Sequence, residues 1–208
     1  MIKTWFPTSI YQVDLNPSED IVFNMLKSTS KIDKDEKSIT GDLNNNYTLH
    51  NHKSFEWLNS QISIHCKKYL TELGCNISVL NFYAQKSWAV ICKQDGYIPK
   101  HIHPNSVLSA VFYLMVDESS SPLNFYTETS PYIGLPLVYD ANQYTFDVAQ
   151  YHPIENRLII FPSNIPHSVM SSNQKGKRIS ITYDITVTCD KIYNSESMIL
   201  DPSFWKKL

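Results

Sequence analysis

Between Phe55 and Leu73 apolar residues recur at three- and four-residue steps, at Phe55, Leu58, Ile62, Cys66, Tyr69 and Leu73, and Gly74 follows where a helix C-cap belongs. This period predicts an amphipathic helix closed by a glycine. Upstream, "NPSEDIVFNMLKS" predicts another helix: Asn16 or Ser18 can cap it, Pro17 suits its first turn, and Glu19 and Asp20 sit at the positive end of its dipole. A strand-like "TSIYQVDL" precedes it. The polar "STSKIDKDEKSITGDLNNNYTL" keeps neither period over most of its length and predicts a long surface loop.

After Gly74 the chain turns to short runs rich in Val, Ile, Tyr, Phe and Thr, broken by Gly, Pro and Asn. They are "NISVLNFYAQ", "SWAVICK", "SVLSAVFYLMV", "PLNFYTET", "LPLVYD", "QYTFDVAQYH", "RLIIFP" and "KRISITYDITVTC". Short strands joined by turns, with no helical period between them, predict an antiparallel sandwich or barrel braced on one outer face by the two helices. With 208 residues and neither an internal repeat nor a low-complexity tract, the chain reads as one domain. Residues 1–75 form a helical support and loop, 76–190 the β core and 191–208 a tail.

Composition acts mainly by exclusion. A net charge of -2 and a pI near 6.4 supply no basic field for nucleic acid. No apolar run approaches the roughly 20 residues of a membrane span. Cys66, Cys75, Cys92 and Cys189 show no C-x-x-C spacing, and "MIKTWFPTSIYQV" lacks the charged region and continuous apolar stretch expected of a signal peptide. A cytoplasmic location with reduced thiols is expected, either the chain's own cytoplasm or, for a phage-encoded chain, the host's. A homodimer is one option for its oligomeric state.

Candidate chemistry centres on "PKHIHPNSVLSAVFYL", residues 99–114. In extended chain His101 and His103 project to one face, and Pro104 biases His103 toward that conformation. Such a pair is weak evidence by itself. The distal "RLIIFPSNIPHSVMSSNQKGKRISITYDI" adds His167, expected from a turn, and a strand on which Arg178 and Ser180 share a face. A buried Arg178 would need an anion such as a carboxylate, whereas an exposed one would sit with Lys175 and Lys177. His50 and His52 read as a solvated pair ahead of a helix, His65 as a boundary residue and His152 as a surface residue.

Trp88, Gly96, "HIHPNSVLSAVFYL", "FPSNIPHSV" and "RISI" occur in an order that resembles the iron(II)- and 2-oxoglutarate-dependent oxygenases of bacteria and phages. The resemblance spans roughly residues 80–186 and implies a double-stranded β-helix, a jelly-roll or cupin-like barrel. It implies His101, His103 and His167 as metal ligands, Arg178 on the distal carboxylate of 2-oxoglutarate, and Ser180 and Tyr113 as hydrogen-bond donors at that end. Tyr113 could equally be a core aromatic. Trp88, Tyr83 and Asn105 are candidates to line the substrate side. The implied reaction uses Fe(II), 2-oxoglutarate and O2 to hydroxylate a small molecule or a protein side chain.

One departure bears on the chemistry: His103 stands where the wider superfamily carries Asp or Glu, leaving three neutral ligands. Three alternatives follow. A three-histidine cupin dioxygenase would dispense with 2-oxoglutarate and leave Arg178 facing solvent or a protein carboxylate. A non-catalytic metal-binding jelly roll would lack an open pocket beside the metal. His103 with Asn105 could instead form the ligand pair, with His101 outside it.

Overall fold

A computed structural model describes residues 3, 7–34, 36, 38–41, 47–127, 142, 144–171, 173–189 and 202–207. Its elements run β1 (Tyr11–Asp14), α1 (Glu19–Thr29), β2 (Ser38–Gly41), α2 (Glu56–Glu72), β3 (Leu80–Cys92), β4 (Ile98–His101), β5 (Leu108–Met115), β6 (Leu123–Tyr126), β7 (Val148–Tyr151), β8 (Arg157–Pro162), β9 (His167–Val169) and β10 (Arg178–Cys189). Short 3-10 turns precede α2 and β3 and lie near the C-terminus. The strands form two antiparallel sheets, a major one ordered β1-β8-β5-β10-β3-β2 and a minor one ordered β4-β9-β6-β7. This is the double-stranded β-helix that the strand pattern and the resemblance implied.

Period-2 alternation decides what each strand buries. On β5, Leu108, Ala110, Phe112 and Leu114 join the cluster formed with Leu58, Ile62 and Cys66 of α2, while Val111 and Tyr113 face the space between the sheets. On β10, Ile179, Ile181, Tyr183 and Ile185 belong to the helix-side cluster. That leaves Arg178, Ser180, Thr182 and Asp184 on the inner face. Phe112 is fully buried, and a side chain of this kind contributes about 1.5–3 kcal/mol by leaving water. The helices therefore cover the outer face of the major sheet, and the minor sheet closes the inner one.

Helix α2 ends as the periodicity predicts: Gly74 adopts φ 83°, and the Gly74 and Cys75 amides donate to the Thr71 and Leu70 carbonyls. Other segments differ from expectation. Residues 1–75 also supply β1 and β2, which pair with β8 and β3. The runs "NISVLNFYAQ" and "SWAVICK" form one strand, β3, whose polar, exposed middle around Gln85 imitates a turn. Strands β4 and β9 are too short for periodicity to register, and "LPLVYD" lies outside the described residues. Among the described residues no helix is long and apolar enough to cross a membrane.

Candidate metal centre

The histidines converge because two short strands and one crossing carry them. His101 ends β4 directly opposite His167, which opens β9. His167 is thus a strand residue rather than a turn residue, fixed by pairing on both sides of β9. Beyond β4 the chain crosses toward the major sheet. The His103 amide donates to the Ser163 carbonyl at 2.9 Å, Asn105 turns the corner at φ 64°, and the Val107 amide reaches Ile185 O. Asn tolerates that left-handed conformation better than most residues.

All three imidazoles present the same edge. Nδ1 of His101 donates to Pro99 O at 2.8 Å, Nδ1 of His167 to Ile165 O at 2.9 Å and Nδ1 of His103 to Asp184 Oδ1 at 2.5 Å. With Nδ1–H so engaged, each neutral ring keeps its lone pair on Nε2. Burial pushes His167 down to about 3 and lowers His101, against the backbone acceptors that favour their protonated forms. These two rings are therefore neutral, as ligands must be.

The ligand atoms of the three histidines lie within 4.8 Å of one another, and Nε2 of His103 is 3.0 Å from Nε2 of His167. Two lone pairs facing at that distance repel unless a cation lies between them. Adjacent ligands about 2.1 Å from a metal would be about 3 Å apart. The donor set therefore fits a divalent ion. Trp88 stacks on His103 with centroids 5.5 Å apart, and Phe161 packs edge-on against His167 at 4.9 Å.

From this cluster a cavity of about 90 Å³ runs between the sheets, lined by Trp88, Val90, Val111, Tyr113, Ser180 and Thr182 among others, with Arg178 also in its wall. Arg178 is 2% exposed. One terminal nitrogen reaches Ser121 O and the other Cys92 Sγ, each at 3.3 Å, and its buried Nε has no partner among the described residues. It makes no carboxylate pair among the described residues. Tyr113 sits opposite Ser180 in the sheet register. Burial pushes its hydroxyl up to about 12, against the nearby positive charge of Arg178 and Arg157, so the hydroxyl remains a donor.

Sequence reasoning brought His101, His103, His167, Arg178, Ser180, Tyr113 and Trp88 to one cavity. Asn105 is exposed and shapes the corner instead of lining the cavity. Tyr83 lies elsewhere: 51% exposed, it borders a separate cavity of about 310 Å³ on the helix side, with His50, Asn59 and Tyr183. Thr182 and Asp184 were missed, although stepping by two from Arg178 would have reached them. His50 is no solvated residue, because its Nδ1 lies 2.7 Å from Ser87 Oγ. His65 is buried against Tyr11, whose hydroxyl is 2.8 Å from its Nδ1.

Residues 86–184 match the model of a family described as "Putative 2OG-Fe(II) oxygenase". No curated protein matches the sequence. Among solved structures the fold is similar to a viral collagen prolyl hydroxylase from Paramecium Bursaria Chlorella virus-1, with TM-score 0.55, 12% identity and coverage of 89% of this chain and 95% of that one. A Pseudomonas putida prolyl-4-hydroxylase gives TM-score 0.54 and 12% identity over 86% of this chain and 92% of that one. HygX from Streptomyces hygroscopicus, solved with nickel, 2-oxoglutarate and hygromycin B, gives TM-score 0.54 and 9% identity over 86% and 83%.

Proposed function

We propose that the chain is a 2OG-Fe(II) oxygenase, a reading supported by the match of residues 86–184 to that family's model, and that His101, His103 and His167 hold its iron while Arg178 receives the distal carboxylate of 2-oxoglutarate. One observation carries this reading: a guanidinium 2% exposed, with an unpartnered Nε, in the wall of a cavity that begins at three converging imidazoles. Burying such a charge unpaired costs several kcal/mol, and a ligand carboxylate relieves the cost with a forked, charge-assisted pair. The three-histidine alternative without 2-oxoglutarate expects Arg178 in solvent or on a protein carboxylate, and neither is found among the described residues. The cavity likewise disfavours a non-catalytic jelly roll.

Bound iron supplies O2 activation coupled to 2-oxoglutarate decarboxylation, and the product is a hydroxylated substrate. The protein's part is placement. Arg178, with the Tyr113 and Ser180 hydroxyls as donors, fixes the far end of the cosubstrate, and the Nδ1–H bonds fix the three ligand rings. Trp88, Val90 and Val111 exclude water between the two ends. Trp88, stacked on His103, lines the side that a substrate approaches. Prolyl hydroxylases and a protein holding hygromycin B share this fold, consistent with a peptide side chain or a small molecule as substrate. Cys66, Cys75 and Cys92 are thiols outside any disulfide, which supports the reduced, cytoplasmic setting expected from the sequence. Anaerobic titration with Fe(II) and then 2-oxoglutarate should develop the weak visible charge-transfer band of the chelate, and its absence at saturating concentrations would refute the assignment.

A further inference from the structure

We infer that Asp184 is a positioning residue that returns, through His103, the negative charge the three-imidazole ligand set lacks; this rests on the metal-site reading above. Asp184 lies on the inner face of β10, where the register with β3 shifts between Asp184 and Ile185. The extra residue at that shift is Gln85 on β3, so alternation along β10 is unbroken and Asp184 points inward with Arg178, Ser180 and Thr182. Its carboxylate is 10% exposed, and its one hydrogen-bond partner among the described residues is His103 Nδ1, at 2.5 Å. Trp88 covers a face of the same ring. His101 and His167 donate Nδ1–H to neutral backbone carbonyls. Only His103 is backed by an anion, and it occupies the position where the sequence carries imidazole in place of carboxylate. A carboxylate behind a ligating imidazole fixes its tautomer and raises its basicity.

The same geometry yields a reversal of sign that a merely structural contact would not produce. His103→Asp alone would set a second carboxylate against Asp184, where Nδ1 now lies 2.5 Å from Oδ1. Like charges that close cannot both be accommodated. Removing the Asp184 charge should therefore weaken metal binding in the natural background and strengthen it in the His103→Asp background.

The test is anaerobic Fe(II) and Co(II) affinity by competition titration for the wild-type chain, Asp184→Asn, His103→Asp and the double variant, with Co(II) visible bands and apo melting alongside. Asp184→Asn should lose about tenfold to a hundredfold in affinity, shift the Co(II) bands and keep the apo melting temperature. The double variant should bind more tightly than His103→Asp. If Asp184→Asn melts early, imidazole 15N shifts of the wild-type apo protein decide the matter, since His103 must show the Nδ1-protonated tautomer. Affinity within twofold of wild type in Asp184→Asn, while His167→Ala abolishes binding, would overturn the role of Asp184 and leave the metal site standing. Equal weakening in both backgrounds would overturn it too. Equal binding by the wild type and His167→Ala would remove the site itself, and this inference with it.

Discussion

Replacing Arg178 with Lys keeps the charge and removes the fork. In the free protein the guanidinium has two long contacts, to Ser121 O and Cys92 Sγ at 3.3 Å, and an idle Nε. A carboxylate seated there would gain hydrogen bonds to a charged group, worth roughly 1.5–3 kcal/mol. Lysine offers a point charge on a flexible stem and cannot reproduce a planar two-point grip. At about 1.4 kcal/mol per decade, 2-oxoglutarate should bind roughly tenfold to 150-fold more weakly. Iron affinity should hardly change, because Arg178 is not among the metal-ligating cluster. Calorimetry under nitrogen with Fe(II), or with an inert substitute metal, reads both constants. Arg178→Met adds a check on the cause: without an unpaired buried cation the apo protein should melt higher, while 2-oxoglutarate should no longer raise its melting temperature. An unchanged cosubstrate affinity in Arg178→Lys would refute the pairing and favour the three-histidine dioxygenase.

His167→Ala should abolish tight Fe(II) binding in a titration. Because His167 is buried in β9 against Phe161, urea unfolding should also show a cost of about 1–3 kcal/mol. At the left-handed corner, Asn105→Gly should be tolerated, whereas Asn105→Val should destabilise by about 1–2 kcal/mol in urea and weaken metal binding by displacing His103. Asp33 accepts from Lys177 and lies 3.0 Å from Lys93, contacts that hold its carboxyl below the usual 3.8. Its stabilising effect is thus fully present above pH 3.8 and fades as pH falls through the lower folded value. Asp33→Asn should then lower the unfolding free energy read from urea denaturation at pH 7 by about 1 kcal/mol and by much less near pH 3.

The legible parts of the molecule were those with a long period or a conformational signature. Helix α2 shows a stripe over most of its length and a glycine at its end, and β5, β8 and β10 show apolar runs with alternation. The hidden parts are short or two-faced. Strand β4 has four residues and β9 has three, below what alternation can register, so His167 looked like a turn residue. The exposed centre of β3, where Gln85 is left out of the register with β10, broke the apparent strand in two. Within the site, His101, His103, His167 and Arg178 stood out because the H-x-H pair, the distal PHSV and the Arg-x-Ser strand follow in the order that the resembling family shows. Asp184 did not, because "SITYDIT" reads as ordinary alternation until the facing His103 imidazole gives the acid its setting.

β10 explains why one cavity can serve both ends of the reaction. Arg178, Ser180, Thr182 and Asp184 follow one another at two-residue steps on the inner face, so under the proposed roles one strand would carry the cosubstrate cation at its start and the support of a metal ligand six residues on. At about 3.3 Å per residue their Cα atoms are roughly 20 Å apart. Only long side chains reaching inward from both ends could meet a common ligand, and Arg178 and His103 both line the cavity between them. A one-residue slip of β10 against β5 would turn all four groups to the helices and bring Ile179, Ile181 and Tyr183 inward. The helix-side cluster that buries those residues therefore sets the site's register. A cavity-forming change there, such as Ile181→Ala, should loosen metal and 2-oxoglutarate binding together. Arg178→Lys should separate them. A variant of Ile181 that lost about 2–4 kcal/mol of stability yet kept both affinities unchanged would show the register to be held by β5 and β3 alone.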